Sequence, residues 1–150
     1  MAVEILVAVS IITVSILAAM AVSQKSVYVS RQSFHATQSA FLLEEGSEVI
    51  RILRDNAWTN ISGLTAGTDY YLKFSGGTWI TSLTAADGIV DIFTRKVSIA
   101  NVNRDNTTKD ISATGTDDPA TKLVTVTVSW PEGGTTITKT LQFYIINIFS

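Results

Sequence analysis

The sequence of 150 residues predicts an α+β fold: one long N-terminal α-helix, apolar in its first half and amphipathic in its second, packed on a small antiparallel β-sheet. Three observations predict it. No Gly occurs before Gly46 and no Pro before Pro119, so nothing breaks a helix in the first 45 residues. Within that stretch, residues 5–22 form an uncharged run of 18 residues, after which apolar positions thin to a periodic set. Toward the other end, Val124, Val126, Val128 and Trp130 alternate with Thr125, Thr127 and Ser129, the period of a strand with one buried face.

The helix is expected from about residue 3 to about residue 54. Residues 1–24 are apolar on every side and form a membrane or filament-core segment; residues 25–54 carry a one-sided pattern and lie on the chain's own globular part, residues 55–150. Phe34, Phe41, Leu42, Val49, Ile52 and Leu53 are assigned to the packed face, and Ser33, His35, Ser39, Glu44 and Arg51 to the opposite one. Arg51 and Arg54 in the last turn suit the negative end of the helix dipole.

Residues 55–60 make the exit, with turn residues Gly63 and Gly67 following. Residues 70–74 and 78–83 then read as a hairpin around Gly76-Gly77, since a two-residue turn of this type needs positive φ at both positions. Residues 89–100 read as a longer strand with a bulge at Arg95-Lys96, where the alternation shifts. The polar residues 101–121 are expected to be a long surface loop. In the last hairpin, residues 131–134 turn the chain and Ile137, Leu141, Phe143 and Ile145 alternate back, with Lys139 out of pattern.

An 18-residue apolar run is long enough to be a membrane span. Glu4 stands at its edge, and a carboxylate there is costly unless paired, which makes it a functional candidate. Ala19-Met-Ala21 matches a signal-peptidase pattern, yet the preceding segment has no Lys or Arg and carries Glu4, the wrong charge for a secretory signal. The first basic residues, Lys25 and Arg31, follow the run, so a basic leader preceding Met1 is expected.

The segment Val3-Glu-Ile-Leu-Val-Ala-Val-Ser-Ile-Ile12 resembles the N-terminus of mature type IV pilins and their pseudopilin relatives. The family's Glu is the fifth mature residue and here it is the fourth; the Gly and Pro that often weaken the family's first helix are absent. The resemblance implies a filament subunit that waits in the cytoplasmic membrane and is extracted into a helical homopolymer by a pilus or secretion machinery. It implies assembly roles for Glu4 and for the α-amino group at Met1, and a filament core built from Ile5, Leu6, Val7, Val9, Ile11, Ile12, Val14, Ile16, Leu17, Met20 and Val22. Three readings follow: a subunit of an extracellular pilus, with adhesion, twitching or DNA uptake as outputs; a minor pilin or pseudopilin of a short periplasmic fibre; and a singly anchored surface binding domain that never polymerises.

No enzyme activity is expected. His35 is the only His and sits on the polar helix face, where a solvated or subunit-contact role outweighs acid–base work, and no Gly-rich phosphate loop follows a strand. The chain has no Cys, so disulfides and thiolate metal sites are excluded. Asn103, Asp105, Asp110, Asp117 and Asp118 offer oxygen ligands but lack the spacing of a calcium loop, and no cofactor is assigned. Asn60-Ile-Ser62 and Asn106-Thr-Thr108 match the N-glycosylation pattern and read as turn residues. Of Trp58, Trp79 and Trp130, the last two alternate as core positions do. The net charge of −2 lies wholly beyond residue 54, where seven basic and nine acidic residues stand, and it is no footprint for nucleic acid.

Overall fold

A computed structural model describes residues 1–149. The expected fold class is present: a single helix α1, Ala2–Asn56, precedes antiparallel strands on which its last third packs. The chain divides into two compact units, Met1–Gln38 and everything from Ser39 onward. The second unit therefore begins inside the helix, and the first buried residue of the helix is Ser39.

In the second unit α1 is followed by a one-turn helix α2 (Thr59–Ser62) and the hairpin β1 (Tyr71–Ser75) and β2 (Thr78–Ser82). A 3₁₀ turn, Ala85–Gly88, leads to β3 (Ile89–Val90), β4 (Phe93–Arg104), β5 (Ile111–Ser112), β6 (Thr116–Glu132) and β7 (Thr135–Ile146). The main sheet runs β3-β4-β6-β7, with β5 paired to the far end of β4. The β1–β2 hairpin attaches to the outer edge of β4, where Tyr70 and Val97 exchange backbone hydrogen bonds of 2.8 and 2.7 Å.

Both predicted Gly-Gly turns close two-residue hairpins. Gly76 and Gly77 have φ of 61° and 81°, and Gly133 and Gly134 have 57° and 83°. The second turn is tighter than residues 131–134, because Pro131 lies within β6 opposite Thr136. Pro131 has no N–H to donate, and it is tolerated because the pairing of β4 with β6 stops at Ser129, two residues earlier.

The bulge expected at Arg95-Lys96 is absent; β4 is regular there and shifts register between Asn101 and Asn103. Phe93, Arg95, Val97 and Ile99 are all buried, so the alternation never broke: Arg95 is simply an arginine on the inner face. The long loop expected over 101–121 is also mostly strand. Asn103 pairs with Asp117 and Arg104 with Thr116, and only residues 105–115 turn the chain, with β5 inside them. Polarity misled here because polar side chains satisfy one another across these strands: Arg104 donates to Asp118 and to the Thr121 hydroxyl, and Lys122 donates to Asn101.

The core gathers Val49, Ile50 and Leu53 of α1 with Val97, Ile99, Val124 and Val126, and a second cluster joins Leu42 to Phe93, Val128 and Trp130. The packed helix face differs from the expected one. Phe34, Phe41 and Ile52 are exposed, whereas Ser39, Gly46 and Ser47 are buried beside Leu42, Val49, Ile50 and Leu53. Small residues line the contact because the helix comes very close: a Cβ on Gly46 would lie 2.7 Å from Val126 Cγ1. Lys139 stands opposite Val128 on β7, a strand whose other edge is unpaired among the described residues. A charge at an inward position of an edge strand discourages pairing with another chain.

Candidate assembly site

The first unit is bare helix. All eleven apolar side chains assigned to a filament core, from Ile5 to Val22, are 50–70% exposed. Burying each would contribute roughly 1.5–3 kcal/mol. An 18-residue window of it has a mean hydropathy of 2.7, and the helix is long and apolar enough to cross a membrane. Its few polar side chains are satisfied locally: the Ser10, Thr13 and Ser15 hydroxyls donate to the carbonyls of Leu6, Val9 and Ile11, each at 2.8 Å. These back-bonds let hydroxyl groups sit in an apolar surrounding without an external acceptor.

Glu4 lies in the first turn of α1, where the dipole favours a carboxylate. The Met1 α-amino group stands 3.4 Å from its Oε2, and both groups are fully open to solvent. Within the single chain this is an exposed contact of little energetic weight. Lys25 stands twenty-one positions after Glu4, about 31 Å of helix at 1.5 Å per residue, which matches a hydrocarbon thickness of about 30 Å.

At the Lys25 end the ammonium group lies 5.1 Å from the centre of the Tyr28 ring, and Arg31 follows three residues later. A cation, an aromatic ring and a second cation thus stand directly after the apolar run. Tyr28 carries the same signal in the sequence as an aromatic residue between two basic ones. His35 is half-buried, with its ring 6.2 Å from that of Phe34.

The remaining candidates fall in the second unit. Asp118 accepts from Arg104 Nε and from the Thr121 hydroxyl, each at 2.6 Å. The Thr121 hydroxyl, then Arg104, hold the Asp118 carboxyl below its ordinary pKa. The backbone N–H groups of Thr108 and Thr107 hold Asp105 below its own value in the same way. These two carboxylates are thus engaged by protein donors, and no three His, Cys, Asp or Glu side chains converge among the described residues. Asn60 lies in α2 and its amide nitrogen donates to Leu53 O at 3.0 Å, while Asn106 accepts from the Thr116 hydroxyl at 2.6 Å. Trp130 is buried against Phe93, and Trp58 and Trp79 are half-buried at the rim of the core.

Fold and site together define an α+β protein with one helix of membrane-span length headed by a carboxylate. Comparison with known protein families, with curated proteins and with solved structures found no match.

Proposed function

We propose that this chain is a structural subunit of a type IV pilus filament, held in the cytoplasmic membrane by the first part of α1 and then polymerised outside the cell through that same surface. The observation that carries the reading is the wholly exposed apolar helix with Glu4 at its head. In the membrane, Glu4 and Lys25 reach the two opposite interfaces, so neither charge enters the hydrocarbon. In a fibre the helices of other copies replace the lipid, and Glu4 then lies in an apolar layer. A carboxylate buried there costs several kcal/mol unless paired, and the amine at the N-terminus of the adjacent subunit supplies the pair. The contact between Glu4 and its own chain's amine is exposed and weak, and it yields readily to an intermolecular one.

Electron microscopy of material sheared from cells tests the reading. Long fibres containing this chain support it; short periplasmic fibres alone point to a minor pilin or pseudopilin, and membrane-bound monomer alone points to a singly anchored binding domain. A second test is Glu4→Ala or Glu4→Gln as the only copy. Either variant should insert normally and keep its β-strands folded, yet fibre yield should drop by about tenfold or more, each 1.4 kcal/mol of lost pairing being about one factor of ten. Normal fibre yield at matched membrane levels would remove Glu4 from the assembly mechanism.

A further inference from the structure

Between the last turn of α1 and strand β2 lies a groove of about 360 Å³. Leu53, Asn56 and Asn60 form one wall, and Thr78, Trp79 and Thr81 the other. No charged side chain lines it. Asn60 is committed to the backbone of Leu53, but the side chains of Asn56, Thr78 and Thr81 make no hydrogen bond to the described protein. The Trp79 ring has two neighbours of its own: the Arg95 guanidinium lies 5.7 Å from its centre, and Phe74 meets it edge-on at 5.4 Å. The Trp79 indole and, two residues on along the same face of β2, the Thr81 hydroxyl therefore stand beside the free Asn56 amide.

We propose that this groove binds a neutral saccharide, independently of whether the chain polymerises. The chemistry of the lining selects that class. An aromatic wall matches the C–H face of a pyranose, and the Asn56 amide offers both donors and an acceptor to ring hydroxyls. The absence of a cation leaves a phosphate or carboxylate without a counter-charge, and the polar share of the walls disfavours a lipid chain. The volume falls near the lower end of the roughly 300–1,000 Å³ common for small-ligand sites, which suits one or two sugar rings. A rigid aromatic residue at the site means that little side-chain freedom is lost on binding.

The test is nuclear magnetic resonance on the full-length chain in a phosphocholine detergent, chosen because a maltoside detergent would itself compete. The probes are neutral methyl glycosides and the disaccharides lactose, maltose and cellobiose. The expected result is a saturable shift of the Trp79 indole N–H with at least one of them. Asn56→Ala and Thr81→Val, both at the groove rim, should each weaken binding by about tenfold, with circular dichroism and thermal midpoint unchanged. No saturable Trp79 shift with any probe up to about 50 mM, far beyond millimolar affinity, overturns the proposal. Undiminished binding in both variants relative to the unsubstituted chain, or a stronger response to glucuronate or to a short glycine peptide, overturns it as well.

Discussion

At the residue scale, two charges of the sheet, Arg95 and Asp118, behave differently. Arg95 is 3% exposed; its Nη1 lies 2.8 Å from Glu45 Oε2 but out of line for a hydrogen bond, and its Nε has no acceptor. A buried guanidinium that is charge-paired but poorly hydrogen-bonded is a net cost, and replacing it with an apolar side chain of similar length is often stabilising. Arg95→Met is therefore expected to leave the unfolding free energy unchanged or to raise it by about 1–3 kcal/mol. Glu45→Gln, which strands the guanidinium, should lower it by about 1–3 kcal/mol. Chemical denaturation of both variants and of the double variant checks the signs, and the double variant should recover most of the loss. Asp118 is the opposite case, a carboxylate with three donors: Arg104, the Thr121 hydroxyl and the Ala120 N–H. Its folded pKa is lowered, so its stabilisation is present above the unfolded value of about 3.9 and is lost as pH falls through the folded value. Asp118→Asn should cost about 1 kcal/mol at neutral pH. Denaturation curves from pH 7 to 3 should show that difference flat above about pH 5 and shrinking below about pH 4.

At the element scale, the helix–sheet contact and the β4–β6 connection are the points to test. Gly46 sits in a helix interior, where Ala would ordinarily be favoured by about 1 kcal/mol. Here the new methyl group would meet Val126 Cγ1 at 2.7 Å and Arg95 Cδ at 3.4 Å, both packed in the core. Overpacking costs about 1–3 kcal/mol, so Gly46→Ala should lower the thermal midpoint despite its better helix propensity. A raised midpoint would mean that the contact is looser than the distances state. The tip between β4 and β6 is the other case. An insertion at Thr116 would split a strand residue paired with Arg104, whereas Thr108 lies in the turn, its N–H bonded to Asp105. A short epitope after Thr108 should leave folding intact and bind antibody on whole cells or fibres, while the same epitope at Thr116 should destabilise the unit; a pull-down and a melting curve for each tell them apart.

At the scale of the whole molecule, two units with different needs share one helix. The residues from Ser39 onward hold both apolar clusters and all strands, and residues 1–38 contribute nothing to either cluster. A fragment beginning at Lys25 should therefore be soluble, monomeric and folded, with the full chain's β signal in circular dichroism and a cooperative melt. Aggregation of the fragment, or a melt without cooperativity, would place part of the core in the removed residues. The rest of the helix leaves its apolar side chains uncovered.

The sequence alone determined what depends on neighbours along the chain. Uninterrupted helix formers set the extent of α1, eighteen uncharged residues set its membrane length, and paired glycines set both hairpin turns, because each signal acts through local backbone preference or one-dimensional period. It marked Glu4 for the same reason, as a charge beside an apolar run. Tertiary structure decided what depends on which surfaces meet. Phe34, Phe41 and Ile52 share a period with Leu42, Val49 and Leu53, and only the close approach of the sheet at Gly46 shows which set is covered. Arg95 looked like a break in a strand until Glu45 and Trp79 were seen around it. The groove is the clearest instance: Asn56 and Thr81 are unremarkable in sequence, and they become one site only because the end of α1 packs beside β2.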